Sequence, residues 1–584
     1  MTRPVGLALG LAVVIATSCS RADRSERSSA DGVAYERRKA NSAALPSSHA
    51  ALDAAGPAFA FRAQDLPFTY DRGDTGAKWP VETVGGGVAL LDFDGDGDLD
   101  LFLAQGGPLP PRPAETAGLA TDVLLRNDGG GRFVDVSKAA GLTYKGYGLG
   151  AFAVDFDGDG DTDVFVARYG RNTLYRNDGD RFVDVTERAG VGCGRWTLGA
   201  AFADYDQDGD LDLFLANYIE FDPKKAPYGR DPRTGKADYG MPADFFGQPD
   251  VLYRNEGNGR FVDVAKASKI KDVDGRGMSV LACDLDLDGR IDFFVTNDQQ
   301  PNLLWRNKGD GTFEDVGETI GVALNAQGQT EANMGVAQGD TDGDGLPELL
   351  VTHFYDQHDT LWRALRLESG EVAFQDQTDD AGLRAATLPL TGWGVAIADL
   401  DNDGALDIIA TYGHIKHERT QRYDYENPPV LFRNLGTGRF VETTRRGGDY
   451  FKARHNGRGL AVGDLDNDGD LDVVIVHHHA PAVVLWNETP RAGHWLAVRL
   501  RGAGRNRDAV GARLVAHVGR VKLTRTIDGG GGYLSSNDSR VRFGLGAAAQ
   551  VDRLEIRWPS GRLETRLNLP ADSEITISEE PRRP

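Results

Sequence analysis

A nine-residue pattern, Asp-x-Asp-x-Asp-Gly-x-x-Asp, recurs seven times in this chain and limits its possible folds more than any bulk property. The copies are DFDGDGDLD from Asp92, DFDGDGDTD from Asp155, DYDQDGDLD from Asp204, DLDLDGRID from Asp284, DTDGDGLPE from Asp340, DLDNDGALD from Asp399 and DLDNDGDLD from Asp464. Their starts lie 49 to 80 residues apart, the mark of an array of supersecondary units. A Gly-rich apolar run precedes each copy, such as GGGVALL or GLGAFAV, and a short β-branched or aromatic run follows, such as LFLA or VFVA. These read as buried strands joined by the acidic loop. Further on, LLRNDGGGRFVDV, LYRNDGDRFVDV, LYRNEGNGRFVDV, LWRNKGDGTFEDV and LFRNLGTGRFVET each read as a second hairpin around an Asn-x-Gly or Asp-Gly turn. Two hairpins per unit and seven units predict an all-β, seven-bladed β-propeller over residues 61–490. The 584-residue length, with 74 Gly and 40% apolar residues, suits such a repeat better than one large core. The Pro/Gly-rich stretch 222–247 is expected to be an inserted surface loop.

The loops hold 32 of the chain's 88 acidic residues, a density of like charge that a folded chain tolerates only with counter-charge nearby. Carboxylates at positions 1, 3, 5 and 9, a backbone carbonyl at 7 and Gly at 6 give an oxygen-only donor set suited to Ca²⁺. The predicted ligand sets are Asp92, Asp94, Asp96, Asp98 and Asp100; Asp155, Asp157, Asp159, Asp161 and Asp163; and Asp204, Asp206, Asp208, Asp210 and Asp212. They continue with Asp284, Asp286, Asp288, Arg290 and Asp292, then Asp340, Asp342, Asp344, Leu346 and Glu348. Asp399, Asp401, Asp403, Ala405 and Asp407, then Asp464, Asp466, Asp468, Asp470 and Asp472, complete them, the seventh position always acting through its carbonyl. An EF-hand is excluded: Leu103 stands where the bidentate Glu of the first loop would be, and the flanks are strands. Up to seven structural Ca²⁺ are expected, with the fifth loop, ending Pro347-Glu348, the weakest binder.

The net charge of −23 argues against nucleic-acid binding, and three cysteines make no disulfide framework. Residues 1–19 read as an export signal: Arg3, an apolar run from Val5 to Ala16, then small residues before Cys19. The context of Cys19 resembles a lipobox, with Ala16 in place of the usual Leu, so a lipid anchor at Cys19 on the cell surface or outer membrane is expected, plain secretion being the other outcome. Residues 20–60 are Ser/Ala/charged and read as a tether. Residues 491–580 form a separate small β domain, and from His494 onward the chain holds 16 Lys/Arg against 10 Asp/Glu. That net of +6 beside −29 elsewhere predicts that the domain packs on the acidic propeller.

No nucleophile elbow, Walker loop or zinc-protease helix is present, which favours a binding module over an enzyme. Residues at the ends of the strands away from the acidic loops are expected to form a ligand face around the central channel: Trp196, Asn217, Arg276, Asn297, Asn333, Trp393 and Arg458. His353, His414, His477 and His479 are the candidates there for a metal or acid–base site, the alternative, enzymatic reading. The partner is expected to be a protein or glycan at a surface, and the chain a monomer that meets membrane only through its anchor. The segment FRAQDLPFTY before the first loop either supplies the last blade's outer strand or packs as a separate hairpin.

HWLAVRLRGAGRNRDAVGARL, GGGGYLSSNDSRVRFGLG and VDRLEIRWPSGRLET resemble the ASPIC/UnbV domain, and the acidic repeats resemble VCBS/FG-GAP repeats. Together they resemble the CRTAC1-like, cartilage acidic protein family from residue 60 onward. The resemblance implies a secreted or surface-bound calcium-binding propeller like that of integrin α subunits, linked to adhesion, and no settled activity.

Overall fold

The computed structural model describes residues 58–580, apart from 75, 77, 109–120, 226–228, 231–234, 236, 271–273, 417–423 and 491–492. The expected export signal, Cys19 and nearly all of the expected tether lie outside the described residues.

The acidic loops sit where a repeat of two hairpins puts them, between the first and second strands of seven four-stranded antiparallel units. Blade 1 is Val88–Leu91, Asp100–Leu103, Val123–Asn127 and Phe133–Asp135. Blade 2 is Tyr147–Val154, Asp163–Arg171, Thr173–Asn177 and Phe182–Asp184. Blade 3 is Cys193–Ala203, Asp212–Asn217, Val251–Asn255 and Phe261–Asp263. Blade 4 is Gly277–Cys283, Asp292–Asn297, Leu303–Asn307 and Phe313–Asp315. Blade 5 is Val336–Gly339, Glu348–Val351, Thr360–Arg366 and Val372–Asp376. Blade 6 is Gly392–Ala398, Asp407–Tyr412, Val430–Asn434 and Phe440–Glu442. Blade 7 takes Gly457–Gly463, Asp472–His477 and Pro481–Asn487 from the end of the repeat and Phe61–Thr69 from its beginning.

That last pairing settles where FRAQDLPFTY goes: Phe61 faces Asn487, Ala63 faces Leu485 and Asp65 faces Val483, antiparallel. The first strands touch in order around the ring, and that of blade 1 touches that of blade 7. Side-chain alternation explains the unbroken apolar runs. In blade 1, Leu101 and Leu103 pack with Leu465, Val474 and Val484 of blade 7, while Phe102 and Ala104 pack with Val164, Val166 and Tyr175 of blade 2. The ring is tight enough to need glycine at its inner wall: a Cβ on Gly394 would lie 2.6 Å from the Arg458 carbonyl oxygen, and one on Gly335 2.3 Å from that of Trp393.

An asparagine at the end of the third strand, preceded by Arg in five blades and by Trp486 in blade 7, locks six of the seven blades to the one before it. Asn177 Nδ2 donates to the Phe93 carbonyl one blade back (2.8 Å), and its Oδ1 accepts from the Gly179 N–H (3.1 Å). Asn127, Asn255, Asn307, Asn434 and Asn487 repeat the contact onto Leu465, Phe156, Tyr205, Thr341 and Leu400. Blade 5 has Ala364 in this place.

The C-terminal domain has two sheets. His494–Arg501 pairs antiparallel with Val541–Gly546 and parallel with Ser573–Ser578. The second sheet runs Val521–Thr526, Arg513–Val518, Gln550–Arg557, Leu563–Pro570. Between strands, residues 529–538 leave the domain and enter the propeller channel. Gly530 pairs with Leu281, Gly532 bridges Val336, Leu534 accepts from the Ala151 N–H (3.0 Å) and Ser536 from that of Leu90 (3.1 Å). The Asp538 N–H donates to Val462 (3.0 Å). The strap thus satisfies backbone groups on the inner edges that the ring leaves unpaired. Gly530, Gly531 and Gly532 all have positive φ, between 63° and 123°, which explains the glycine run at 529–532.

Candidate metal centres

Each acidic loop is held by its own backbone in the same way. The position-1 carboxylate accepts from the N–H of the glycine at position 6: Asp155 from Gly160 (2.9 Å), Asp204 from Gly209 (3.0 Å), Asp464 from Gly469 (3.0 Å). Position 5 accepts from the N–H two residues on, as Asp96 does from Asp98 (2.9 Å). Position 9 clasps loop to blade: Asp100 accepts from the Phe93 N–H (2.8 Å) and the Asn127 N–H (2.7 Å). Asp163, Asp212, Asp292, Asp407 and Asp472 make the same two bonds. Glu348 takes this place in the fifth loop, reaching the Thr341 N–H (2.7 Å) and hydroxyl (2.8 Å).

The clasp leaves carboxylate oxygens facing one another. Ligand oxygens of Asp92, Asp94 and Asp96 lie within 4.8 Å of each other, as do those of Asp155, Asp157 and Asp163, and of Asp204, Asp206 and Asp212. The same holds for Asp284, Asp286 and Asp288, and for Asp340, Asp342 and Asp344. Asp92 Oδ1, Asp94 Oδ1, Asp157 Oδ1, Asp204 Oδ1, Asp284 Oδ1, Asp399 Oδ1 and Glu348 Oε1 are buried with no hydrogen-bond partner. Burial first, then the neighbouring carboxylates, pushes the Asp204 carboxyl up to about 7. Burial also raises Asp100 and Asp399 to about 7 and Glu348 to about 8, each with a further push from other loop carboxylates. Orphaned, crowded, oxygen-only donors are what a hard divalent cation satisfies, so these residues fit a metal ion.

The basic domain lies over these loops, as the charge division predicts. Arg542 pairs with Asp464, Arg525 approaches Asp399 (4.0 Å), Arg557 Asp284 (3.9 Å) and Arg505 Asp210 (3.5 Å). Arg513 Nη2 donates to the Gly345 carbonyl (2.9 Å), and the Gly544 N–H to Asp399 Oδ2 (3.1 Å). A cavity of about 270 Å³ remains between the domain and the loop face, lined by both.

At the other end of the channel, the expected ligand face is not an open funnel. Trp196, Trp393 and Arg458 are fully buried, in or against an aromatic cluster with Trp79, Tyr218, Phe221, Phe245 and the strap residues Tyr533 and Leu534. Arg458 lies over the Trp393 ring (4.2 Å), and Trp393 packs tilted against Tyr533 (5.0 Å between ring centres). Asn217, Asn297 and Asn333 are buried and spend their amides on backbone carbonyls of Pro249, Pro301 and Asn297 respectively. Arg276 is half-buried beside Phe245. The physical reason is that the strap comes up the channel from the loop side while Tyr218, Phe221 and Phe245, from the described ends of the insertion, pack in the same cluster. The insertion's returning arm, where Gly247 bridges Ile219, leaves Phe246 (76%) and Met241 (52%) exposed.

The four histidines do not share a site. His353 is fully buried with Nε2 3.7 Å from Glu331, and burial drops its imidazole to about 3. His477 shares one ring nitrogen with the Tyr450 hydroxyl (2.8 Å) and donates the other to the Pro481 carbonyl (2.7 Å). His479 is exposed beside Asp74 (3.4 Å). His414 lies past the strand end, which falls at Tyr412, and meets the Thr391 hydroxyl (3.0 Å). The sequence reading missed both the strap and the asparagine lock. The lock left a signal, the repeated Arg-Asn step, whereas the strap left only glycines.

The FG-GAP-like repeat model matches residues 92–166, 155–215, 235–295, 284–351 and 422–475, and the ASPIC and UnbV model matches 502–584. Cartilage acidic protein 1 of Xenopus tropicalis is 31% identical over 288 residues, covering 47% of this chain and 40% of that protein. The Homo sapiens protein of the same name is 29% identical over 309 residues, covering 52% and 43%. The matches thus span less than half the length of these curated relatives. Among solved structures, an Agrocybe aegerita lectin described for recognition of non-reducing terminal N-acetylglucosamine aligns over 74% of this chain and 94% of its own. That alignment has 16% identity and a TM-score of 0.33, too loose to argue from.

Proposed function

The chain belongs to the FG-GAP-like repeat family and carries an ASPIC and UnbV domain, and from that premise we propose that it is a calcium-stabilised propeller working outside the cytoplasm as a binding module. The observation that carries the metal reading is the set of buried, unpartnered carboxylate oxygens repeated from loop to loop. Without a bidentate Glu at position 12, each loop suits the high free calcium outside a cell, where Kd values of about 10⁻⁴–10⁻³ M suffice. The ions close the loops and neutralise the charge, and take no part in chemistry. The partner is a protein or glycan at a surface. Since the channel is filled, it meets the outer surface of the face opposite the loops, around Phe246 and Met241 on the insertion. Export follows from residues 1–19, and a lipid on Cys19 holds the chain at the cell surface or outer membrane.

Elemental analysis of the mature protein after dialysis against calcium tests the central claim. Six or seven Ca per chain is the expected result, and less than one would end it. Mass spectrometry of the mature N-terminus, with Cys19→Ser as control, tests the anchor. Glycan-array and surface-protein binding, lost in Phe246→Ser, tests the face.

A further inference from the structure

The seven loops are alike in sequence but not in what the C-terminal domain lays over them. At the seventh, Arg542 pairs with Asp464 Oδ2, and Arg540 donates to the Asp464 carbonyl (2.9 Å) and to Asn467 Oδ1 (3.1 Å). Arg542 is buried against Trp495 (5.1 Å), and its Nε and Nη1 have no partner. At the second loop the domain adds a carboxylate, Asp508 Oδ2 accepting from the Asp155 N–H (3.0 Å), while Arg507 reaches the Gly158 carbonyl (3.4 Å) and no loop carboxylate. The third, fourth and sixth loops face guanidiniums at 3.5, 3.9 and 4.0 Å, through Arg505, Arg557 and Arg525. Asp508, Arg542 and the position-1 carboxylates of loops 1, 4, 5 and 6 line the same 270 Å³ cavity, where little water separates charges and their interaction exceeds that in bulk solvent.

We propose that the C-terminal domain grades the cation sites. Asp508 is an added anionic residue of the second site and makes it the tightest, while Arg542 holds an oxygen of the seventh and makes that loop, rather than the fifth expected from sequence, the weakest. The proposal rests on the calcium reading above. Arg542 shares Asp464 Oδ2 with the Gly469 N–H, so its positive charge sits on the carboxylate whose other oxygen faces the loop's cation position and opposes loading of the seventh loop. At the second loop no such opposition exists, and the extra negative charge adds to the attraction.

Calcium titration of the full chain by calorimetry tests this, with near-UV circular dichroism in saturating calcium confirming that each variant is folded. The wild type is expected to show at least two affinity classes. Arg542→Gln should tighten the weakest class about tenfold, Arg542→Lys should change it less than about threefold, and Asp508→Asn should weaken the tightest class about tenfold. Asp466→Asn should delete the weakest class and Asp157→Asn the tightest. Binding of six or seven Ca with one affinity, unmoved by Arg542→Gln and Asp508→Asn, would leave the calcium reading standing and overturn the grading. No calcium binding by the wild type would overturn both.

Discussion

The two ends of the propeller channel are closed by opposite chemistry. At the loop end, carboxylates such as Asp399 and Asp464 meet arginines of the C-terminal domain across a cavity, and several oxygens have no partner. At the far end, Trp196, Trp393, Tyr218 and Tyr533 pack ring against ring around the strap tip. The strap runs through both, so one stretch of ten residues depends on electrostatics where it leaves the domain and on apolar packing where it ends. The first closure should respond to cations, pH and salt, the second to side-chain volume.

Chelation tests that division most severely. With EGTA the melting midpoint should fall by more than about 15 °C, since several sites each contribute up to about 2.7 kcal/mol at a hundredfold excess over Kd. Limited proteolysis should then cut first around residues 502–512, over the loops, before tryptophan fluorescence reports loss of the aromatic end. Simultaneous loss of both would show that the closures are one unit.

Truncating the aromatic end comes next. Trp393→Ala should cost about 3–5 kcal/mol in denaturant titrations. The cost should be equal with and without calcium, and a calcium-dependent cost would join the two ends.

The third effect is pH. Asp100, Asp155, Asp204 and Asp399 sit near 7 and Glu348 near 8 when folded, through burial first, against about 4 unfolded. A carboxyl with a raised folded pKa favours the fold below its unfolded value and loses that contribution as pH rises through the folded one. In EGTA the midpoint should therefore fall by several degrees from pH 5 to pH 8, as scanning calorimetry would record. In calcium the fall should vanish, because the cation favours the ionised form.

The smallest change sharpens the comparison inside the loop end. Asn255→Ala removes an inter-blade bond from a buried amide and should cost about 1–3 kcal/mol by chemical denaturation. Ala364→Asn in blade 5, where the lock is missing, should not cost as much.

The loop end was legible in the sequence because charge cannot be hidden: seven copies of one acidic pattern announce both the repeat and the carboxylates that crowd at its loops. The last strand's partner was open because FRAQDLPFTY has the alternation of a strand but nothing in it names blade 7. The far end was misread for a different reason. Trp196 and Trp393 do sit at strand ends beside the channel, yet four glycines and a tyrosine some 140 residues beyond Trp393 decide whether the channel is open.

The pairing of Phe61–Thr69 with Pro481–Asn487 also fixes an order of events. Phe61 and its partner Asn487 are 426 residues apart, so the first blade strand to be made waits for nearly the whole chain. Contacts that distant form slowly. The ring therefore stays an open arc, with one edge strand exposed at each end, until synthesis is almost complete. A chain that crosses a membrane N-terminus first would therefore have its ring still to close on the far side.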